Sequence, residues 1–577
     1  MRSFDELVKY FLDNDIKLRI EDEKLKYNAP AGSITPGILA EMKYYKNNLI
    51  EYISSGNHDE IVPYTGEGPV PLSFAHYRLW FLNKLEGDNH AYNLPFPVKL
   101  EGDLNTVVLL NAVKEVLLLH TILRTSFPES DGNPFQKVND ISDKSFGMFT
   151  AGGNSAEEKW LWINNFIADK VKVSFNLEKG PLFSIDIIHV DDNTNVLVMV
   201  FHHLLLDGWS INIVLDEIEK YYDLLINGKN ILPAPHLQYS DYTIWHNKWL
   251  ESAGAKKQLD YWKNELMDLP GILQMPFTSS RPAVQTLNGA TTIFKIDEIT
   301  YNGLKKIASA NDASLFMVLY AAFSVLLYRY TGTKDIILGT TIANRNRSEL
   351  EELVGLLANT IAIRTNLSGN PSFIEYLGTV KKKMLSAYEN QDIPFEKVVE
   401  EVNPKRSLSF TPVFQILFEL QEIQKTKASM PGIKVTPIEP ENTASKYDIN
   451  LLMLLRDGIL TGNFEYNTDL FSEDSVNRII NHFRQILYSI VQNPDTKIGH
   501  LNYITEKEKS ALLAWNSNKQ EFPVNESYYN LFSVTAEKYY SHIAAAENSN
   551  QVTYSELKQK ADLISSVLLN NGIKNGD

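Results

Sequence analysis

The chain has 577 residues, 44% hydrophobic, 22% charged and 11% aromatic, which is material for several folded domains and far from the composition of a disordered chain. Its net charge of -16 disfavours nucleic acid as a partner, because neutralising phosphates needs a basic surface. Cysteine is absent, which removes disulfides, thiolate metal sites and cysteine nucleophiles together.

Residues 1–55 read as a first small unit. Its N-terminal stretch mixes charges through the apolar positions and has no apolar h-region, so it is not a signal peptide and the expected compartment is the cytoplasm. Ser3 with Glu6 makes a capping box, and Phe4, Leu7, Val8, Phe11 and Leu12 follow at helical spacing. In IKLRIEDEKLKY, Ile16, Leu18 and Ile20 alternate with Lys17 and Arg19, and Leu25 and Tyr27 with Lys24 and Lys26, which predicts two short strands about an acidic turn. Thr35 then Pro36 opens a helix carrying Ile38, Met42, Tyr45, Leu49 and Ile53. The alternating basic residues suit either a solvated hairpin face or a sheet edge that takes up an extended acidic peptide.

A Gly/Pro-rich linker over 56–66 precedes a long α/β body. Within it, PLFSIDIIHV, a polar loop at Asp191 to Asn195 and VLVMVFHH read as an antiparallel hairpin. The period then changes: Ile211, Val214, Leu215, Ile218 and Leu225 mark a helix from Ser210 that ends by Gly228. Leu315 to Tyr328 is apolar, but it is short of the roughly 20 residues that a membrane span needs and is closed by Arg329 and Gly332, so a buried core helix is expected. Residues 496–520 read as a linker with a connector helix, and 521–577 as a strand entering a helix, the opening of a truncated domain.

His202 and His203 end the hairpin strand, with Asp207 and Gly208 just behind them. Successive strand side chains face opposite ways, so both rings reach one site only if the strand has already ended. A zinc site would need ligands beyond His203 and Asp207 that no nearby HxxxH or cysteine pair supplies, so no metal is expected. Spacing alone leaves two readings open, a pair of satisfied core histidines or an acid/base group. Arg78 and Arg124 read as structural pairs, Trp209 and Trp245 as core aromatics, and the glycine pair before Ser155 has no carrier helix around it.

Two family resemblances enter here. IKLRIEDEKLKYNAPAGSITPGILAEMK resembles the TubC-type N-terminal docking domains of non-ribosomal peptide synthetases. HHLLLDG fits the HHxxxDG signature of the chloramphenicol-acetyltransferase-like superfamily, in particular the condensation domains of those synthetases. The match extends through LSFAHYRLWFL from Leu72, HTILRTSF from His120, YSDYTIW from Tyr239, GTTIANRNRSELEELVGLLANTIAIR from Gly339, NQDIPFEKVVEEV from Asn390 and RSLSFTPVFQILF from Arg406. VTYSEL at Val552 is similar to the first motif of adenylation domains. Three places depart from the family pattern: His76 stands where glutamine is usual, Asn344 where glycine is common, and Leu356 to Ala358 replace a bulky aromatic and valine.

The resemblance implies an α/β fold of two chloramphenicol-acetyltransferase-like lobes, 67–235 and 236–495, in a V-shaped pseudo-dimer with the His203 loop at the seam. It implies amide formation between a donor thioester and the amine of an acceptor aminoacyl thioester, each on the 4'-phosphopantetheine of an upstream or downstream peptidyl carrier protein. No cofactor bound by the domain itself is expected. His203 takes the catalytic position, as base or as the group that aligns the amine; His202 packs beneath the loop; Asp207 pairs with Arg345; Gly208 gives the turn freedom and leaves room for the acceptor. Lys17, Arg19, Lys24 and Lys26 would bind the acidic C-terminal docking peptide of a preceding subunit. A catalytically silent recruitment scaffold of the same fold, or an epimerisation or other HHxxxDG acyltransferase, is the alternative. SFAHYRLWFL resembles the subtype that takes an L-configured donor. The resemblance implies neither a membrane nor a nucleic acid as partner.

Overall fold

A computed structural model describes residues 7–574 except 8–9, 12–15, 22–23, 29–33, 47, 50–60, 67, 88–89, 91, 230–234, 236, 277–278, 406, 424–429, 439–443 and 518–523. The chain separates into two units, Met1–Ile504 and Thr505–Asp577. Most of the first expected helix lies outside the described residues, as do the expected capping residues Ser3 and Glu6.

The predicted hairpin forms from β1 (Lys17–Glu21) and β2 (Lys24–Asn28), antiparallel, with Arg19 opposite Lys26 and Glu21 opposite Lys24. The side chains of Lys17, Arg19 and Lys24 lie outside the described residues, whereas Lys26 is exposed. Helix α1 (Pro36–Tyr44) starts where Thr35 Oγ1 accepts the Ile38 N–H, with proline at its first position. Leu7, Phe11, Ile16, Ile38, Met42 and Leu49 form a small core.

The body begins with α2 (Phe74–Glu86), β3 (Asn93–Glu101) and α3 (Thr106–Leu119), followed by β4 (Phe146–Thr150) and α4 (Ala156–Val171). The hairpin expected before the histidines is β5 (Phe183–Asp191) and β6 (Thr194–His202), and the expected helix is α5 (Ser210–Ile226). Then come α6 (Tyr239–Trp249), β7 (Gly289–Lys295), α7 (Leu315–Thr331), β8 (Asp335–Ile342), β9 (Asn359–Asn366), α8 (Phe395–Val402), β10 (Ile416–Ile423), β11 (Lys434–Pro437), β12 (Ile449–Arg456) and β13 (Ile459–Asn467). These strands form a five-stranded sheet in the order β11-β3-β6-β5-β4 and a six-stranded one in the order β7-β13-β12-β10-β8-β9, beside a smaller four-stranded sheet.

Val196 to Phe201 in β6 are all buried, as a strand between two others and covered on both faces must be. Helix α7 is the core helix of the six-stranded sheet; Ser314 caps it, Gly332 at φ 70° ends it, and Met317 to Leu327 are buried. Among the described residues no single helix is long and apolar enough to cross a membrane.

The division at 235/236 is not clean in space. Strand β11, from between β10 and β12, leaves its own sheet and pairs Lys434 to Pro437 with Glu101 to Val98 at the edge of the five-stranded sheet. Tyr239 and Tyr242 of α6, with Leu350, Leu353, Val354, Leu356 and Leu357, are likewise buried in the core around β6 and α5. The later half of the chain thus completes the earlier half's core, and the signature loop lies among these exchanged pieces.

The second unit holds α9 (Glu506–Trp515), preceded by a Thr505/Glu508 capping box, then a helix, and a β-hairpin whose second strand, Asn550–Thr553, runs into the helix Tyr554–Asn570 as predicted.

Candidate active site

The end of β6 is fixed from both sides: the His202 N–H donates to the Leu182 carbonyl at 2.9 Å, and the His203 N–H to the Tyr92 carbonyl at 2.8 Å. Beyond it the chain turns, and the two rings part. His202 is 2% exposed, while His203 is half-buried.

Their hydrogen bonds set opposite tautomers. His202 Nδ1 accepts the Leu204 N–H at 3.2 Å, so its neutral ring carries the proton on Nε2. His203 Nδ1 lies 3.0 Å from the Leu206 carbonyl oxygen, which can only accept; Nδ1 therefore holds the proton and the lone pair is on Nε2. Burial, and then the neighbouring His203 charge, hold His202 down to about 3. His203 is also lowered, first by burial and then by the ammonium of Lys446. Both rings are neutral at neutral pH.

Asp207 is the structural centre of the loop. Its Oδ1 accepts from the Ser210 N–H (2.9 Å), the Ser210 hydroxyl (2.8 Å) and Arg345 Nη2 (3.2 Å). Its Oδ2 accepts from Arg345 Nη1 and the Leu357 N–H, both at 3.0 Å, and the Ala358 N–H at 2.9 Å. Burial alone would raise this carboxyl, but Arg345 and Ser210 outweigh it and hold the group below its ordinary value. Because the first N–H groups of α5 have no helical acceptor, Asp207 also serves that helix start, where Trp209 supplies no cap. Arg345 donates further to the Ala343 and Leu353 carbonyls.

Gly208 corrects one expectation. It is exposed, its φ is not in the left-handed region, and an added Cβ would meet no atom within 4 Å, so neither backbone freedom nor internal packing requires a glycine there. Trp209 corrects another: it is 46% exposed and is not a core aromatic. Its indole N–H donates to the Glu351 carbonyl at 2.9 Å, and its ring lies 5.6 Å from the Arg345 guanidinium. Trp245 is half-buried beside Arg347. Arg78 pairs with Glu396 of α8, while Arg124 bonds the Asn139 carbonyl rather than an acid.

The departures from the family pattern have local reasons. His76 is wholly buried beneath the loop and its Nε2 meets the Leu204 carbonyl at 2.8 Å, a bond that a glutamine amide can also make. Asn344 has φ 53°, a conformation that asparagine tolerates better than most residues. Leu357 and Ala358 hold Asp207 through backbone N–H groups, so that contact does not depend on their side chains.

Tyr92 and Lys446, which no motif marks, complete the neighbourhood of His203: the Lys446 Nζ lies 4.1 Å from the centre of the Tyr92 ring. Tyr447, next in sequence, is in electrostatic contact with Arg78, Glu396 and Tyr92. Among the described residues no group of three or more acids and histidines is placed to hold a metal.

The condensation-domain family profile matches residues 66–513, and that of the TubC N-terminal docking domain matches residues 5–54. The chain belongs to the condensation domain family. A linear gramicidin synthase protein of Brevibacillus parabrevis is 37% identical to it over 525 residues, 90% of this chain and 10% of that protein. This condensation chain therefore spans about a tenth of the length of that relative. In fold it is similar to the X-domain from teicoplanin biosynthesis, with a TM-score of 0.69 at 23% identity over 77% of this chain and all of that one. A four-domain nonribosomal peptide synthetase bound to AMP and glycine gives 0.70 at 24% identity, over 88% of this chain and 39% of that one. The fold is thus that of the condensation domains, a family whose reaction is amide formation, here with a docking domain ahead of it.

Proposed function

We propose that this condensation domain joins an acyl group, presented as a thioester by an upstream carrier protein, to the amine of an aminoacyl thioester on a downstream carrier, both held on 4'-phosphopantetheine. The observation that carries this reading is His203, which is half-buried where His202 is buried and whose ring has its Nε2 lone pair unprotonated. A thioester is already activated, so the protein supplies orientation and the handling of one proton. With its basicity lowered, His203 serves best by accepting a hydrogen bond from the attacking amine and aligning it, rather than by removing the proton outright. His202 fills the space beneath the loop, Asp207 and Arg345 hold the loop's course, and the bare Gly208 leaves its outer side open to the acceptor.

The test loads carriers with candidate donor and acceptor residues and weighs the acceptor carrier by mass spectrometry. Wild type should move the donor mass onto the acceptor, and His203→Ala should slow the transfer by roughly a hundredfold. Equal transfer by both would instead support a silent scaffold.

In the docking domain, the basic positions 17, 19, 24 and 26 on paired strands suit an acidic C-terminal peptide added at the hairpin's edge. Titrating such a peptide against wild type and Lys26→Glu at low and high salt tests it: affinity should fall with salt and with the charge reversal. Residues 521–577 fit the start of an adenylation domain through VTYSEL.

A further inference from the structure

The six-stranded sheet carries an acid that the mechanism does not use. Side chains alternate along β10, so Ile416 and Phe418 are buried in the helix-covered core while Glu419 faces the other way and is half-buried. Parallel pairing of β10 with β12 and β8 brings Asn450 and Thr341 onto that same face, beside Glu419. The Asn450 Oδ1 is itself buried without a partner. Burial raises the Glu419 carboxyl, and the groups that act on it are neutral, with no lysine or arginine among them. A carboxylate withdrawn from water against neutral partners is unfavourable unless it takes up a proton or a cation joins it. An acid with only neutral neighbours, beside an amide oxygen that has no partner, suits a group rich in N–H donors.

The position is continuous with the candidate active site. Lys446, whose Nζ lies 4.1 Å from the centre of the Tyr92 ring, and Tyr447, stacked on Phe414 at 5.7 Å, stand just before the strand β12 that carries Asn450, and the Tyr92 carbonyl holds the His203 N–H. We infer that Glu419 and Asn450 form a specificity-determining subsite for a substrate side chain that ends in an ammonium or guanidinium group, on one of the two tethered residues. This rests on the condensation reading. A charged hydrogen bond in a half-buried site corresponds to about tenfold to a hundredfold discrimination against a neutral isostere.

The experiment compares lysyl with norleucyl carriers, first as acceptor against a fixed alanyl donor, then as donor against a fixed alanyl acceptor, reading transferred mass over time. In one arm wild type should prefer lysine by about tenfold or more. Glu419→Gln should bring that ratio towards one, and Glu419→Lys should turn the preference towards a glutamyl substrate over a lysyl one. Equal lysyl and norleucyl transfer in both arms, or a lysine preference that survives Glu419→Gln, would overturn the subsite. Absence of product from every wild-type pairing is a different failure, which removes the condensation reading and the subsite with it.

Discussion

Asp207 and Arg345, 138 residues apart in the chain, form a two-pronged pair in which each side chain is 1% exposed. Removing one member leaves the other charged, buried and uncompensated. Asp207→Ala should therefore lower stability by about 3 to 5 kcal/mol, far more than an exposed ion pair is worth. Paired with Arg345→Ala, the double variant should lose less than the two single losses added, because the stranded charge has gone. Urea unfolding of the four proteins measures both. The sign with pH also follows: a carboxyl held below its ordinary value contributes stability above that value, and the contribution is lost as pH falls through the lowered one.

The ammonium of Lys446 disfavours a second positive charge on His203, after burial has already done so. Transfer should therefore hold up to a more acidic pH than an ordinary imidazole near 6.5 would allow. Lys446→Gln removes the repulsion, raises the His203 pKa and should move the acidic limb of the kcat/KM profile towards higher pH. A limb that stays in place would mean that another group sets it.

Two buried rings make stability fall with acid. His76 and His202 are each held down to about 3, in both cases chiefly by burial, so between roughly pH 6.5 and 3 the unfolded chain binds protons that the folded chain does not. Stability rises with pH across that window. Each ring contributes a slope of about 1.4 kcal/mol per pH unit there, and His76→Gln should flatten the curve by that amount while keeping a donor for the Leu204 carbonyl. Urea midpoints at a series of pH values give the slope.

The local grammar was legible because its causes are local. The β5–β6 hairpin, the Ser210 helix start and the buried α7 follow from periodicity, caps and a closing glycine within a few residues. The Asp207–Arg345 contact came through resemblance, since nothing in spacing links residues so far apart. Non-local placement stayed hidden: β11 crossing to the other sheet, Trp209 turning outward to the Glu351 carbonyl, and Tyr92 and Lys446 gathering near His203 depend on how the sheets meet. An unpaired acid such as Glu419 in an otherwise apolar strand run was the one signal available, as a polar residue in ILFELQ breaks the expected pattern.

Gly208 and Gly355 separate function from packing. A Cβ at Gly355 would overlap the ring of Tyr239, whose hydroxyl donates to the Leu356 carbonyl at 2.8 Å, and the Gly355 N–H and carbonyl both bond the Ser210 hydroxyl that Asp207 holds. Gly355→Ala should cost about 1 to 3 kcal/mol by overpacking and disturb the loop from within. A Cβ at Gly208 meets nothing, so Gly208→Ala should stay within about 0.5 kcal/mol of wild type. If the acceptor arm approaches over Gly208, that same methyl should slow transfer to it with the fold intact, raising KM for the acceptor carrier more than for the donor. Melting temperatures beside single-carrier titrations distinguish the two glycines, and a Gly208→Ala protein with wild-type KM for both carriers would place the acceptor's path elsewhere.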